Sequence, residues 1–178
     1  AKDSTDLSLM LTRHTDKSKY LDEPISQESI RKLFQAFPEL HYYGKGSDGF
    51  RYLQAATLYA NIVQAVDPDK RAELAEWLRF SDREAKTKAD GLPAEQLGLS
   101  GLIKRFYYLT SDKESAQSDK FAKQSVELVE TQMAHTAGFF VITGGSTPSE
   151  AVRAGMRFQA FWLEATAEGI SIHPVSQI

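Results

Sequence analysis

Ala137-Gly-Phe-Phe-Val-Ile-Thr143, followed by Gly144-Gly-Ser-Thr147-Pro148-Ser-Glu150, is the stretch on which the reading of this chain turns. The first run is apolar and rich in β-branched and aromatic side chains, which suits a strand covered on both faces. Gly144, Gly145 and Ser146 break it. Thr147 then fits a helix N-cap with Pro148 at the first helical position. Glu150 lies three residues after the cap, so hydroxyl and carboxylate can each satisfy one orphan amide. The helix is predicted to run to about Glu168, where Gly169 supplies a left-handed terminating residue.

Working outward, Arg153, Arg157, Glu164 and Glu168 share one narrow stripe of that helix on a 3.6 period. Val152, Met156, Phe158, Phe161, Trp162, Leu163 and Ala165 occupy the rest. That pattern predicts a helix enclosed by its own domain or by a partner subunit. Gln159, opposite the charges, would then need a hydrogen-bond partner. Ile170-Ser-Ile-His-Pro-Val-Ser176 alternates like a strand, with Pro174 forcing an edge position, a bulge or its end.

The 178 residues, 42% hydrophobic and 25% charged, fit one globular domain over 1–178 with a sizeable core. A net charge of −3 and a pI near 5.8 argue against nucleic acid as partner, since no basic stripe can displace phosphate counterions. The absence of cysteine rules out a disulfide framework and a thiolate site, and fits a reducing, cytoplasmic setting. No apolar stretch approaches transmembrane length. The four histidines are scattered, without a metal-ligand spacing, so no metal is expected.

Nearer the N-terminus, Asp6 can cap a short helix with Leu7, Met10 and Leu11 on its buried side. Ser26 opens a second helix, whose Ile30, Leu33, Phe34 and Phe37 lie on one face until Pro38 stops it. Leu40-His-Tyr-Tyr43 is a short strand candidate. A helix from Phe50 to Val66 carries Leu53, Ala56, Ala60 and Val63 on one face. Asp67-Pro68 caps the next, with Leu74, Trp77 and Leu78 buried. Residues 81–101 are charged and glycine-rich, the composition of either a lid over a site or an ordinary surface excursion. Arg105-Phe-Tyr-Tyr108 reads as core or interface, and 111–120 as a linker or helix entry. A helix from about Gln117 to His135 shows Ala122, Val126, Val129 and Met133 in one stripe.

The helix near the N-terminus delivers Arg13-His14-Thr15-Asp16-Lys17. Two cations, a hydroxyl and an imidazole could clamp an anion. The plainer alternative is that Arg13 and Lys17 complement a helix dipole and are solvated, and spacing alone favours it.

Taken in order, however, several motifs resemble the FMN-dependent nitroreductase family. The Arg13-His14-Thr15-Asp-Lys17 cluster before Asp22-Glu-Pro24-Ile25 is similar to that family's opening. Gly155-x3-Gln159-x2-Trp162-Leu163-x-Ala165-x3-Gly169-Ile-x2-His173-Pro174 resembles its central helix and following strand. Glu73-Leu-x2-Trp77-Leu-Arg79-Phe and Asp90-Gly91-Leu92 with Leu97-Gly98 resemble a subgroup that includes flavin-sequestering tandem pseudo-dimers.

The resemblance implies an α+β nitroreductase-like fold, with an antiparallel or mixed central sheet flanked by helices around a long buried central helix. It implies FMN as cofactor, NAD(P)H as electron donor and nitroaromatic or quinone-like molecules as small-molecule substrates, in a cytoplasmic homodimer or tandem pseudo-dimer. Arg13 and Thr15 would hold the FMN phosphate and ribityl end, with His14 in support, and Lys17 would lie near the pyrimidine edge. Pro174, Val175, Ser176 and Gln177 would line the isoalloxazine ring. No side chain is expected to act as general acid or base. The alternatives are a non-catalytic flavin-sequestering protein and a degenerate homologue. Two departures stand out. Ala36-Phe37-Pro38-Glu39 leads straight into the strand without the family's Ser-x2-Asn-x-Gln-Pro segment. The family also continues past the position of Ile178, so a truncated sequence or one half of a tandem protein is expected.

Overall fold

Side-chain caps set the starts of four of the helices in the computed structural model, which describes residues 8–176. The Ser26 hydroxyl accepts from the Ser29 amide at 3.0 Å and starts α2 (Gln27–Ala36), while α1 (Leu9–Thr12) is a single turn. The strand β1 (His41–Gly44) is followed by α3 (Asp48–Val66). Asp67 caps α4 (Pro68–Trp77) through the amides of Asp69 and Lys70, and Ser81 caps α5 (Asp82–Lys88). Next come α6 (Gly101–Thr110), α7 (Asp119–His135) and the strand β2 (Gly138–Val141). The last helix, α8 (Pro148–Ala167), opens with the full capping box: Thr147 accepts from the Glu150 amide, and Glu150 Oε2 accepts from the Thr147 amide at 3.0 Å. The chain is thus a helix-rich α+β fold in which β1 and β2 form a two-stranded antiparallel sheet, His41 facing Val141 and Gly44 facing Gly138.

Contacts group the described residues into two units. The first comprises 8–15, Tyr20–Leu53 and Thr136–Pro174. Its core is Leu33, Leu40, Phe161 and Ala165, against which Phe37 and Phe140 pack. Phe161 is the hub: its ring lies 5.0 Å from that of Phe140 and meets Phe37 edge-on at 6.0 Å. The second unit comprises Asp16–Lys19, Gln54–His135 and 175–176, with a core of Ala75, Leu78 and Ala116 joined by Phe80, Leu92 and Phe121.

The C-terminal end of α8 follows the glycine rule. Gly169, at φ +72°, sends its amide to Thr166 O at 3.0 Å, and the Ile170 amide reaches Ala165 O at 2.8 Å. Several expectations change. The strand expected over Ile170–Ser176 reduces to one parallel bridge between Ile172 and Thr15. Pro174 lacks the amide that a longer ladder would need. Val152 and Met156 are exposed, at 64% and 68%, so the first half of α8 is not enclosed and only Phe161, Trp162, Leu163 and Ala165 are buried. Met10, Leu11, Val63, Leu74 and Trp77 are likewise exposed where burial was expected. A four-residue α1 has too little length to bury a face, and α4 turns Ala75 inward in place of Leu74. Asp6 and Leu7 lie outside the described residues.

Residues 81–101 are folded and tied down. The Leu92 amide donates to Trp77 O at 2.8 Å, the Arg79 amide donates to Leu92 O at 3.1 Å, and the buried Arg79 guanidinium holds Asp90 Oδ1 at 2.6 Å. A 3-10 turn over Ala94–Leu97 continues the segment, and Lys104 pairs with both Asp82 and Glu95. Among the described residues, no helix is long and apolar enough to cross a membrane, and no group of three or more His, Asp or Glu could hold a metal.

Candidate functional site

Within the first unit, a groove of about 160 Å³ opens where α1 passes over the C-terminal half of α8. Thr12, Arg13 and His14 line one side, and Trp162, Thr166 and the turn Gly169–Ile172 line the other. The local sequence explains the arrangement. Trp162 and Thr166 are four residues apart and therefore share one face of α8, and Thr166 Oγ1 is fixed by donating to Trp162 O at 2.7 Å. Gly169 then turns the chain so that Ser171 and Ile172 come back along this face, and the bridge from Ile172 to Thr15 fastens the end of the Arg13-His14-Thr15 run beside them.

Arg13 is the central cation. Its guanidinium carbon lies 4.2 Å from the centroid of the Trp162 ring, a cation–π contact, and Trp162 itself is only 6% exposed. The Arg13 Nε is buried and has no hydrogen-bond partner, a donor left for a ligand or a water. The His14 Nδ1 lies 2.8 Å from Thr12 O. A carbonyl only accepts, so Nδ1 carries the proton, and the Nε2 of a neutral ring is left as an acceptor. A flat apolar floor, a cation fixed over it and hydroxyls at the rim are together suited to an anionic ligand with a planar portion.

The expected cofactor residues divide as follows. Arg13 and His14 line the groove, and Thr15 adjoins it through the bridge to Ile172. Pro174 belongs to the same unit. Lys17, Val175 and Ser176 belong to the second unit, where the Lys17 carbonyl accepts from the Gln132 side chain and burial pushes the Lys17 ammonium below its usual value. Gln177 lies outside the described residues. Sequence reasoning named Trp162 as a core residue and passed over Thr166 and Ser171. The four-residue spacing of Trp162 and Thr166 was visible, but nothing in the sequence says that Arg13 lies across that face.

No family model matches the chain, and no curated protein or solved structure matches it at a significant level.

Proposed function

We propose that the chain is an FMN-dependent oxidoreductase of nitroreductase type, taking electrons from NAD(P)H and passing them to nitroaromatic or quinone-like acceptors. The observation that carries this reading is the Thr15–Ile172 bridge. The resemblance assigns the 13–17 run and the stretch from Pro174 to one flavin. In the fold the Arg13-His14-Thr15 part of the first stretch lies beside the turn Gly169–Ile172, which leads into the second. The fit to FMN is partial but chemically apt. Arg13 offers a charge-assisted pair for the phosphate, its buried Nε included, and the Trp162 ring beneath keeps water from the inner face of the guanidinium. His14 Nε2 and the hydroxyls of Thr12 and Ser171 suit the ribityl chain. When bound, FMN supplies the redox chemistry itself, and the chain's residues bind, orient and desolvate it.

At about 160 Å³ the groove is smaller than the roughly 300–1,000 Å³ typical of ligand pockets, so a second copy would complete it, as the homodimer reading requires. The flavin-sequestering alternative needs the same FMN site without turnover. Titration of the full chain with FMN, followed by flavin fluorescence, tests both. Saturable binding weakened at least tenfold in Arg13→Ala is expected. No binding at all would remove the reductase and the store together and leave a degenerate homologue.

A further inference from the structure

No acidic residue stands between Glu95 and Asp112, and the two charges in that interval are Lys104 and Arg105. α6 spans most of it, and one side of this helix is fixed to its own unit. Tyr107 is buried and stacks on Phe80 with ring centroids 5.9 Å apart, Lys104 pairs with Asp82 at 2.7 Å, and the Tyr108 hydroxyl donates to Asp82 Oδ1 at 3.0 Å. The other side is apolar and faces water. Leu102, Phe106 and Leu109 follow one another at steps of four and three, so they share one stripe on a 3.6 period. Leu102 is 82% exposed, Leu109 84% and Phe106 67%, and Ile103 is exposed too. Arg105, also exposed, borders the stripe, three residues after Leu102 and four before Leu109.

We propose that α6 is an interfacial helix that lays Leu102, Ile103, Phe106 and Leu109 into the headgroup boundary of an anionic lipid surface. Charge selects that occupant. Residues 82–110 carry four acidic side chains, and each is already paired: Asp82 and Glu95 with Lys104, Glu84 with Lys88, Asp90 with Arg79. Arg83, Lys86 and Arg105 make no ion pair among the described residues, so the unpaired charge of this segment is wholly positive in a chain of net charge −3. A basic partner is repelled there and an acidic surface attracted. Size argues for lipid over an acidic protein. α6 has ten residues and is about 15 Å long, and its four outward side chains fall short of the roughly 20–30 residues that each partner gives to a stable protein interface. A lipid surface requires no such footprint, since each apolar side chain that enters it is withdrawn from water separately. Side chains as exposed as Leu102 and Leu109 form a ridge, which a fluid phase accommodates and a protein meets only with a matching groove. Lying in the interface also requires none of the length that crossing a membrane does.

α6 belongs to the second unit and the groove to the first, so the inference is independent of the flavin reading. The test floats the full chain with vesicles of equal parts phosphatidylcholine and phosphatidylserine, and separately with vesicles of phosphatidylcholine alone. Binding to the mixed vesicles, at least tenfold weaker on the neutral ones, is expected. Raising the salt from about 0.1 M to about 1 M shrinks the screening length from roughly 10 Å to roughly 3 Å and should weaken the binding. Leu102→Ser combined with Phe106→Ser should weaken it at least tenfold with unchanged circular dichroism and melting, because both positions face water. The contact itself is read with an environment-sensitive fluorophore on Leu109→Cys, in a chain that has no other cysteine. Its emission should shift to the blue on mixed vesicles, while the same label on Tyr59→Cys, at an exposed position of α3, should not move. Wild-type protein that stays in the buffer, equal binding to neutral and anionic vesicles, undiminished binding by the double-serine variant, or a blue shift of the Tyr59→Cys label in place of the Leu109→Cys label would each overturn the proposal.

Discussion

The Arg13 guanidinium sits 4.2 Å above the Trp162 ring centroid, so the cation proposed to meet the ligand is also the strut that fastens α1 to α8. Trp162→Ala removes a buried aromatic and should cost about 3–5 kcal/mol. Arg13→Ala loses the cation–π contact and should cost about 0.5–2 kcal/mol. The two changes should not add, because each removes the same contact. Urea unfolding of both single variants and the double variant checks this. Strict additivity would mean that Arg13 does not brace the fold and that any loss of ligand binding in Arg13→Ala comes from the lost charge alone.

Gly91 should tolerate nothing larger. Its φ of +75° disfavours any side chain, and a Cβ there would lie 2.4 Å from the Trp77 carbonyl oxygen and under 3 Å from the Arg79 guanidinium. Gly46 is the control, with a φ of +92° and open space around the missing Cβ. Gly46→Ala should cost only the left-handed strain, about 1–2 kcal/mol. Gly91→Ala should cost clearly more, since it also pushes on the backbone that holds the Leu78–Leu92 bridge and the buried Arg79. Equal denaturation midpoints for the two variants would contradict the close packing described for this turn.

Much of this was legible from local chemistry. The Thr147-Pro148-Glu150 cap, the Gly169 terminator, the Ser26 and Asp67 caps and the pairing-competent runs around Tyr42 and Phe140 all depend on neighbours within a few residues. The sequence states those neighbours directly. What failed depends on partners distant in sequence. Periodicity identifies an apolar face, but not whether anything covers it, so Val152, Met156, Val63 and Trp77 were assigned to a core they do not reach. Ile170–Ser176 alternates like a strand, yet a strand needs a neighbour over its whole length, and Thr15 supplies one residue. The groove was half legible: Arg13, His14 and Thr15 were named, while Trp162 became its floor only through the crossing of α1 over α8.

Acid should weaken the fold through carboxylates that tie its ends. The Glu168 carboxyl is held below its usual value chiefly by the Ser29 hydroxyl and then by Lys32, which joins α2 to the end of α8. Glu150 is lowered by the Thr147 hydroxyl and amide. A carboxyl whose folded value is depressed contributes stability that is fully present above its unfolded value, about 4.3 for Glu. That contribution is lost as the pH falls through the folded value. The urea midpoint should therefore fall as the pH is lowered from 6 toward 3, and Glu168→Gln should flatten part of that slope. A slope unchanged in Glu168→Gln would show that the Ser29 and Lys32 contacts contribute nothing to folding.

The distinction between reductase and store rests on access to the bound ligand. A reductase must admit a nicotinamide and then an acceptor to the same planar face, whereas a store must deny both. The groove favours access, since it is open to solvent along the His14 and Ser171 side, and both of those residues are exposed. FMN-loaded protein mixed anaerobically with NADH or NADPH should therefore bleach at the flavin band within seconds, and the band should recover when a quinone is added. Arg13→Ala, saturated with FMN, should still bleach, because Arg13 is assigned to the phosphate end and not to the ring. Wild-type protein that binds FMN tightly yet stays oxidised with both donors would make it a flavin store. Bleaching that is lost in the FMN-saturated Arg13→Ala variant would instead put Arg13 beside the ring and overturn the orientation proposed for the cofactor.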